Sequence, residues 1–155
     1  MNLNKYTEKA QESVLSAQRL ASELNHAQIE PEHVLVALVE QREGVVPEVL
    51  RKIGADPAQI GRGVRELLAK MPQAYGGSEP GLSPRLRAVA EFAQKEAERL
   101  KDEYVSAEHL LVAIASEPGR SPAARRAARL RCWAAPARRR CAAGWTCRSR
   151  KAREW

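Results

Sequence analysis

Aromatic side chains are scarce in this chain of 155 residues, of which they make up 5%. Alanine and leucine are abundant instead, as is typical of packed helices. No apolar run approaches the length of a membrane span, about 18 residues, and the N-terminus lacks the apolar stretch of a secretory signal. These absences predict a cytoplasmic protein with no membrane partner.

Motifs for catalysis are missing from residues 1–118. This part has no G-x-x-x-x-G-K-[ST] phosphate loop, no G-x-S-x-G nucleophile elbow and no cysteine. Its histidines are too few to form a structural zinc site. We expect His33 and His109 to hydrogen-bond or pack at helix starts, and His26 to be solvated. The prediction is therefore a non-enzymatic protein without a metal or a cofactor.

Charge divides the chain at about residue 119. Residues 1–118 carry 14 basic and 18 acidic side chains, a net charge of −4, whereas residues 119–155 carry 12 basic side chains and one acidic one, a net charge of +11. All three cysteines and all three tryptophans also lie in the second part. The two parts therefore pose separate questions.

Arginine, alanine, cysteine and tryptophan dominate residues 125–155, where an aliphatic stripe would be expected. A GC-rich gene read out of frame encodes such a composition. We predict a frameshift or a wrongly assigned end near Ala124, which the downstream nucleotide sequence tests. The alternative is a basic arm that binds nucleic acid, although runs of one charge sign are usually solvated and disordered.

Apolar residues recur every three to four positions in the first part, which predicts helices. The periodic segments are 10–24, 34–38, 45–53 and 60–68. Prolines follow polar residues at several expected helix starts, where Asp56 and Ser83 are suitable N-caps. Gly44 and Gly54 are suited to end helices in the left-handed conformation. No alternating strand pattern is present.

The chain matches itself at an offset of 76 residues. Residues 7–38 align without a gap with residues 83–114, and nine of the 32 pairs are identical. The segment EHVLVAL at 32–38 falls on EHLLVAI at 108–114, with the Glu-His pair in register. A shared apolar stripe alone would not align this polar pair, so we infer an internal duplication.

The fold prediction is all-α, with two pseudo-symmetric four-helix repeats in residues 1–124. Repeat 1 covers 1–71, a turn-rich linker covers 72–81, and repeat 2 covers 82–124 in truncated form. Residues 125–155 would form an irregular or disordered basic tail. Because a truncated repeat lacks covering helices, we expect an exposed apolar patch around Phe92 and Leu111.

Three segments resemble the N-terminal domain of the Clp (Hsp100) AAA+ chaperones, and among these the ClpB disaggregases. The segments are KYTEKAQESVLSAQ, HAQIEPEHVLVALVEQ and LKDEYVSAEHLLVAI. The resemblance implies a stress-response domain that binds unfolded or aggregated polypeptides or adaptor proteins. In such chaperones the AAA+ ATPase modules are separate, so the chain would be a non-catalytic fragment of the machine.

The resemblance also implies that Thr7, Asp102 and Glu108 take part in substrate handling. From the residues alone, Thr7 is an expected N-cap, Asp102 an exposed loop acid, and Glu108 a helix-start acid that favours the positive end of the dipole. Capping and substrate contact are compatible, and both interpretations stay open.

An apolar wall would complete such a binding surface. Leu3, Tyr6 and Tyr104 flank the first helix and the loop before EHLLVAI, so they are the candidates for this wall. The alternative is that these three side chains pack in the core. A surface that accepts many sequences should bind each one weakly, because tight complementarity would exclude most of them.

Overall fold

The computed structural model describes residues 3–41, 44–74 and 79–117. A 3-10 turn (Leu3–Lys5) precedes a largely helical chain. The helices, in chain order, are α1 (Glu8–Glu23), α2 (Pro31–Glu40), α3 (Val45–Lys52), α4 (Pro57–Leu68), α5 (Pro84–Leu100) and α6 (Ala107–Ser116). The all-α prediction is confirmed, and the predicted tail at 125–155 lies outside the described residues.

The helix starts follow the local sequence. Proline is the first residue of α2, α4 and α5, where its missing N–H removes no helical hydrogen bond. The Asp56 carboxylate accepts the backbone N–H of Ala58 at 3.0 Å, and the Ser83 hydroxyl accepts that of Leu86 at 3.0 Å. Both predicted N-caps are therefore confirmed.

A left-handed residue follows each of three described helices, and one of these residues, Gly54, was predicted. Gly54 has φ +77 after α3, as predicted. Gly44 instead has φ −83 and is the N-cap of α3, so its predicted left-handed conformation is wrong. Asn25 (φ 53) and Lys101 (φ 62) lie at equivalent positions after α1 and α5.

Short extended segments of the two repeats pair with each other. Strand β1 (Gln28–Ile29) pairs in parallel with β2 (Gly81–Leu82), and Ile29 lies opposite Leu82. An isolated parallel bridge joins Tyr6 to Val105. The offset of 76 carries Ile29 onto Val105 and Tyr6 onto Leu82, so the second pairing is the first with the repeats exchanged. The two repeats are therefore related by a pseudo-twofold exchange.

Helix α2 is central to the core. It packs against α1, α3, α4 and α6, and Val34, Leu35 and Leu38 are fully buried. This agrees with the apolar run that predicted a buried second helix. Helix α6 is the equivalent helix of repeat 2 and packs mainly on α5.

The predicted apolar patch on repeat 2 is only half present. Phe92 is exposed on α5. Leu111 is only 2% exposed, because it belongs to the core cluster on the inner face of α6. The expectation that Leu111 is exposed is therefore wrong.

None of the helices in the described part of the chain has both the length and the hydropathy of a membrane span.

Candidate functional site

The bridge between Tyr6 and Val105 brings the sequence-predicted site residues into neighbouring segments. The backbone N–H of Thr7 donates to the carbonyl oxygen of Val105 at 3.0 Å. Asp102 lies three residues before Val105, and Glu108 lies in the first turn of α6 just after it. Residues that are about 100 positions apart in sequence are thus joined at one edge of the molecule.

Thr7 is the N-cap of α1, as the sequence predicted. Its Oγ1 accepts the N–H of Ala10 at 3.4 Å, which is a long hydrogen bond. The residue is half-buried. A weakly engaged hydroxyl at a helix N-terminus retains the capacity to bond a ligand, so capping and binding are compatible here.

Asp102 is an exposed acid held by a buried histidine. The Nε2 atom of His109 lies 3.2 Å from Asp102 Oδ2, and the side chains are 7% and 55% exposed, respectively. The Nδ1 atom of His109 lies 3.1 Å from the backbone N–H of Ser106, the N-cap of α6. His109 therefore acts at a helix start, as predicted, and also contacts a candidate site residue.

The three candidates for the apolar wall have different surroundings. Tyr104, two residues after Asp102 in the chain, is 49% exposed. Tyr6 is only 2% exposed and belongs to the core cluster, because the bridge draws its segment inward. Its proposed place in an exposed wall is corrected. The side chain of Leu3 lies outside the description, whereas Leu100, which the sequence analysis did not single out, is 52% exposed at the end of α5.

The pseudo-symmetric counterparts of Thr7, Asp102 and Glu108 are Ser83, His26 and Glu32. Unlike the first set, all three counterparts are buried. The Ser83 hydroxyl caps α5 and also donates to a carboxylate. The expectation that His26 is solvated is wrong, because its ring packs against that of a second histidine.

The second histidine is His33, which pairs with His26 inside repeat 1. His26 Nδ1 and His33 Nε2 are 2.7 Å apart, and the rings meet edge to face at 5.0 Å. His33 Nδ1 accepts the N–H of Glu30 at 3.0 Å. Burial, and secondarily the neighbouring His26, lowers the pKa of His33 to about 4. His33 is therefore neutral at physiological pH.

Arg85 forms ion pairs with three acidic side chains around the repeat 1 counterpart. Its guanidinium lies 3.1 Å from Glu32, 3.3 Å from Glu30 and 2.7 Å from Glu117. These contacts, led by the hydrogen bond to Glu117, raise the pKa of Arg85. The counterpart of Arg85 is Lys9, which lies 3.6 Å from Glu12 on its own helix. The acidic side chains around the counterpart are thus held in ion pairs with an arginine, whereas Asp102 is largely exposed.

Residues 5–126 match the Clp repeat (R) N-terminal domain family. The chain belongs to this family. It is 39% identical over 122 residues to the chaperone protein ClpB of Nitratidesulfovibrio vulgaris strain Hildenborough, which covers 76% of this chain. It is 42% identical over 113 residues to ClpB of Rhodopirellula baltica, which covers 73% of it. The chain spans only 13–14% of the length of these two relatives.

Solved structures of related N-terminal domains share the fold. The N-terminal domain of the ClpV1 ATPase from E. coli EAEC aligns with a TM-score of 0.70 and 24% identity, covering 84% of this chain and 86% of that one. The Hsp104 N-terminal domain from Candida albicans aligns with a TM-score of 0.68 and 23% identity, covering 82% and 91%. The chain is thus a ClpB-like N-terminal Clp repeat domain, and the matched region is the N-terminal part of such chaperones.

A groove elsewhere on this Clp repeat domain is separate from the candidate residues. It has a volume of about 810 Å³ and lies between the end of α2, α3 and α4. Its rim carries Glu48, Arg51 and Arg62, and none of the sequence-predicted site residues lines it. Among the described residues, no cluster of three or more histidine, cysteine or acidic side chains could hold a metal ion.

Proposed function

We propose that this chain is the substrate- or adaptor-binding N domain of a ClpB-like, ATP-dependent protein disaggregase. In this proposal it binds unfolded or aggregated polypeptide and passes it to AAA+ ATPase modules, which this chain does not match. The domain binds and performs no catalysis. The observation that carries the proposal is the bridge between Tyr6 and Val105, which gathers Thr7, Asp102 and Glu108 at one edge.

The chemistry of this edge suits a non-native chain. Unfolded polypeptides expose apolar side chains together with unpaired backbone N–H groups. Tyr104 and Leu100 supply exposed apolar surface within two residues of Asp102 in the chain. The carboxylates of Asp102 and Glu108 can accept N–H groups or basic side chains. Because these contacts read no particular sequence, we expect weak binding of many polypeptides.

The repeat 1 counterpart supports a single binding edge. There, a buried serine, a histidine pair and a buried glutamate paired with Arg85 replace the accessible groups. Nucleic-acid binding was the alternative function, and it depends on residues 125–155, which lie outside the described residues. The comparisons give that alternative no support.

The test is a charge-neutralising double variant, Asp102→Asn with Glu108→Gln, in the full chain. Its affinity for a fluorescein-labelled unstructured peptide carrying leucine and arginine side chains is measured by fluorescence anisotropy. We expect a three- to tenfold loss, roughly 0.5–1.5 kcal/mol, because two carboxylate contacts are removed.

The matched control is Glu48→Gln with Glu66→Gln, which makes the same charge change at exposed positions on α3 and α4. This control should leave the affinity unchanged. Equal losses in both double variants would mean that only net charge matters, and no loss in the first would contradict the proposal. A salt titration distinguishes polypeptide binding from the nucleic-acid alternative, because the affinity for phosphates falls steeply as the ionic strength rises.

A further inference from the structure

Two side-chain pairs occupy equivalent positions in the repeats. In repeat 2 the pair is Asp102 with His109, and in repeat 1 it is His26 with His33. In each pair the second residue is the third residue of a helix, and its Nδ1 faces the backbone N–H of the helix N-cap. The pairs share their geometry and differ in the group that the Nε2 atom meets.

The backbone fixes which nitrogen of His109 carries the proton. A backbone N–H can only donate, so the N–H of Ser106 requires an acceptor at His109 Nδ1. In the neutral ring the proton is then on Nε2, which donates to Asp102 Oδ2 at 3.2 Å. A neutral donor of this kind leaves the negative charge of Asp102 intact, and with it the attraction for a basic group.

His109 is the fixed partner of this pair, and Asp102 is the side chain that it orients. His109 is buried and tied to the start of α6, whereas the Asp102 side chain is mostly exposed. A carboxylate that is already oriented loses less rotational freedom when a ligand binds. The contact engages only one of the two carboxylate oxygens, and a carboxylate can accept further hydrogen bonds.

We propose that His109 is a positioning residue that orients Asp102 for contact with a client polypeptide. This inference deepens the proposed function and rests on it. His33 does not have this role, because its Nε2 meets His26 in the interior and no carboxylate is present at that position. The residue is the same in both repeats, and its role differs with its partner.

The contacts at the two ring nitrogens of His109 can be removed separately. In His109→Asn, the side-chain oxygen sits where Nδ1 was and keeps the bond to Ser106, while the donor to Asp102 is lost. In His109→Gln, the amide nitrogen reaches toward Asp102, while the acceptor for Ser106 is lost. His109→Asn loses the contact at Nε2, whereas His109→Gln loses the contacts of Nδ1 with the backbone N–H and the hydroxyl of Ser106. The melting temperature of His109→Gln should therefore fall at least as far as that of His109→Asn.

Binding of the labelled leucine- and arginine-containing peptide to the full chain should separate the variants. We expect His109→Asn to lose about three- to tenfold in affinity and His109→Gln to stay within about twofold of the unmodified chain. His33→Asn makes the matched change in repeat 1 and should leave the affinity unchanged. A double variant of Asp102→Asn with His109→Asn should bind no more weakly than Asp102→Asn alone.

Equal affinities of His109→Asn and the unmodified chain, or equal losses in His109→Asn and His109→Gln, would overturn the positioning role. If Asp102→Asn still lowers the affinity, the proposed function survives that result. An unchanged affinity in Asp102→Asn would overturn both. If the variants are too unstable to measure, the unmodified chain provides an independent test by NMR. Addition of the peptide should shift the nitrogen-15 resonance of His109 Nε2 and leave that of His33 Nε2 unchanged. A static His109 resonance would also overturn the role.

Discussion

Acidification should destabilise this domain through His33. The folded protein holds the pKa of His33 at about 4, against the ordinary value of 6.5, because burial and the adjacent His26 disfavour the charged ring. The unfolded chain therefore binds a proton at His33 more readily than the folded chain does. The resulting stability is complete above pH 6.5 and is lost progressively as the pH falls toward 4.

The magnitude follows from these two pKa values. A difference of one pKa unit corresponds to about 1.4 kcal/mol. Between neutral pH and a pH below both pKa values, His33 would therefore lower the free energy of unfolding by roughly 3 kcal/mol. Between pH 7 and pH 5 the linkage relation gives a loss of about 2 kcal/mol. This is a large fraction of the total stability of a small domain, about 5–15 kcal/mol.

Urea denaturation followed by circular dichroism at pH 7, 6 and 5 measures this loss. The control is His33→Asn, whose amide oxygen can still accept the N–H of Glu30 and does not titrate. The free energy of unfolding of the unmodified chain should fall by about 2 kcal/mol more than that of the variant over this interval. Carboxylates that titrate in the same interval are common to both proteins and cancel in the comparison.

Parallel pH profiles of the two proteins would refute the argument. The titration of the His33 ring in the unmodified chain, followed by NMR, provides a second check that needs no variant. A ring that titrates near pH 6.5 in the folded state would show that the interior does not hold His33 neutral, and the pairing with His26 would lose its stated consequence.

Three further changes should alter stability by predictable amounts, each measured by urea denaturation. Arg85→Met should cost about 1–3 kcal/mol, because it leaves the buried Glu32 carboxylate without its cation and the guanidinium itself is partly solvated. Ser83→Ala should cost about 1–2 kcal/mol through the lost N-cap of α5. Lys101→Gly should stabilise by about 0.5–1 kcal/mol at φ 62, and more than Asn25→Gly, because asparagine tolerates the left-handed region better than lysine.

A specific result would contradict each of these three predictions. An Arg85→Met protein as stable as the original would mean that Glu32 is solvated after all. A destabilised Lys101→Gly protein would mean that the gain in chain entropy of the unfolded state exceeds the relief of backbone strain. A neutral Ser83→Ala substitution would show that water replaces the hydroxyl at the start of α5.

Much of the fold could be predicted from short-range features of the sequence. Helix periods, the prolines at helix starts and the caps at Asp56 and Ser83 are short-range features, and the sequence analysis placed them correctly. The internal match at an offset of 76 residues likewise indicated two equivalent units. The two-residue strands escaped notice, because a segment that short has no period to detect.

The candidate site was predicted less completely. The sequence analysis identified Asp102 as an exposed loop acid, and it offered Tyr6 and Tyr104 as candidates for one apolar wall with core packing as the alternative. Tyr104 is exposed, whereas Tyr6 is buried and its segment pairs with one about 100 residues away. His26 was expected to be solvated, and Arg85 was not noticed at all. Partners of Arg85 lie 32 to 55 positions away in the sequence, so no local pattern signals them.

The sequence by itself determined the type and limits of the helices, their duplication and the family to which the chain belongs. Only the tertiary structure decided that the two repeats are chemically unequal. His33 and His109 occupy identical local motifs, yet one ring meets an imidazole in the interior and the other an exposed carboxylate. The physical reason is that helix formation depends on neighbours in the chain, whereas burial, charge pairing and ring orientation depend on which distant segments fold together.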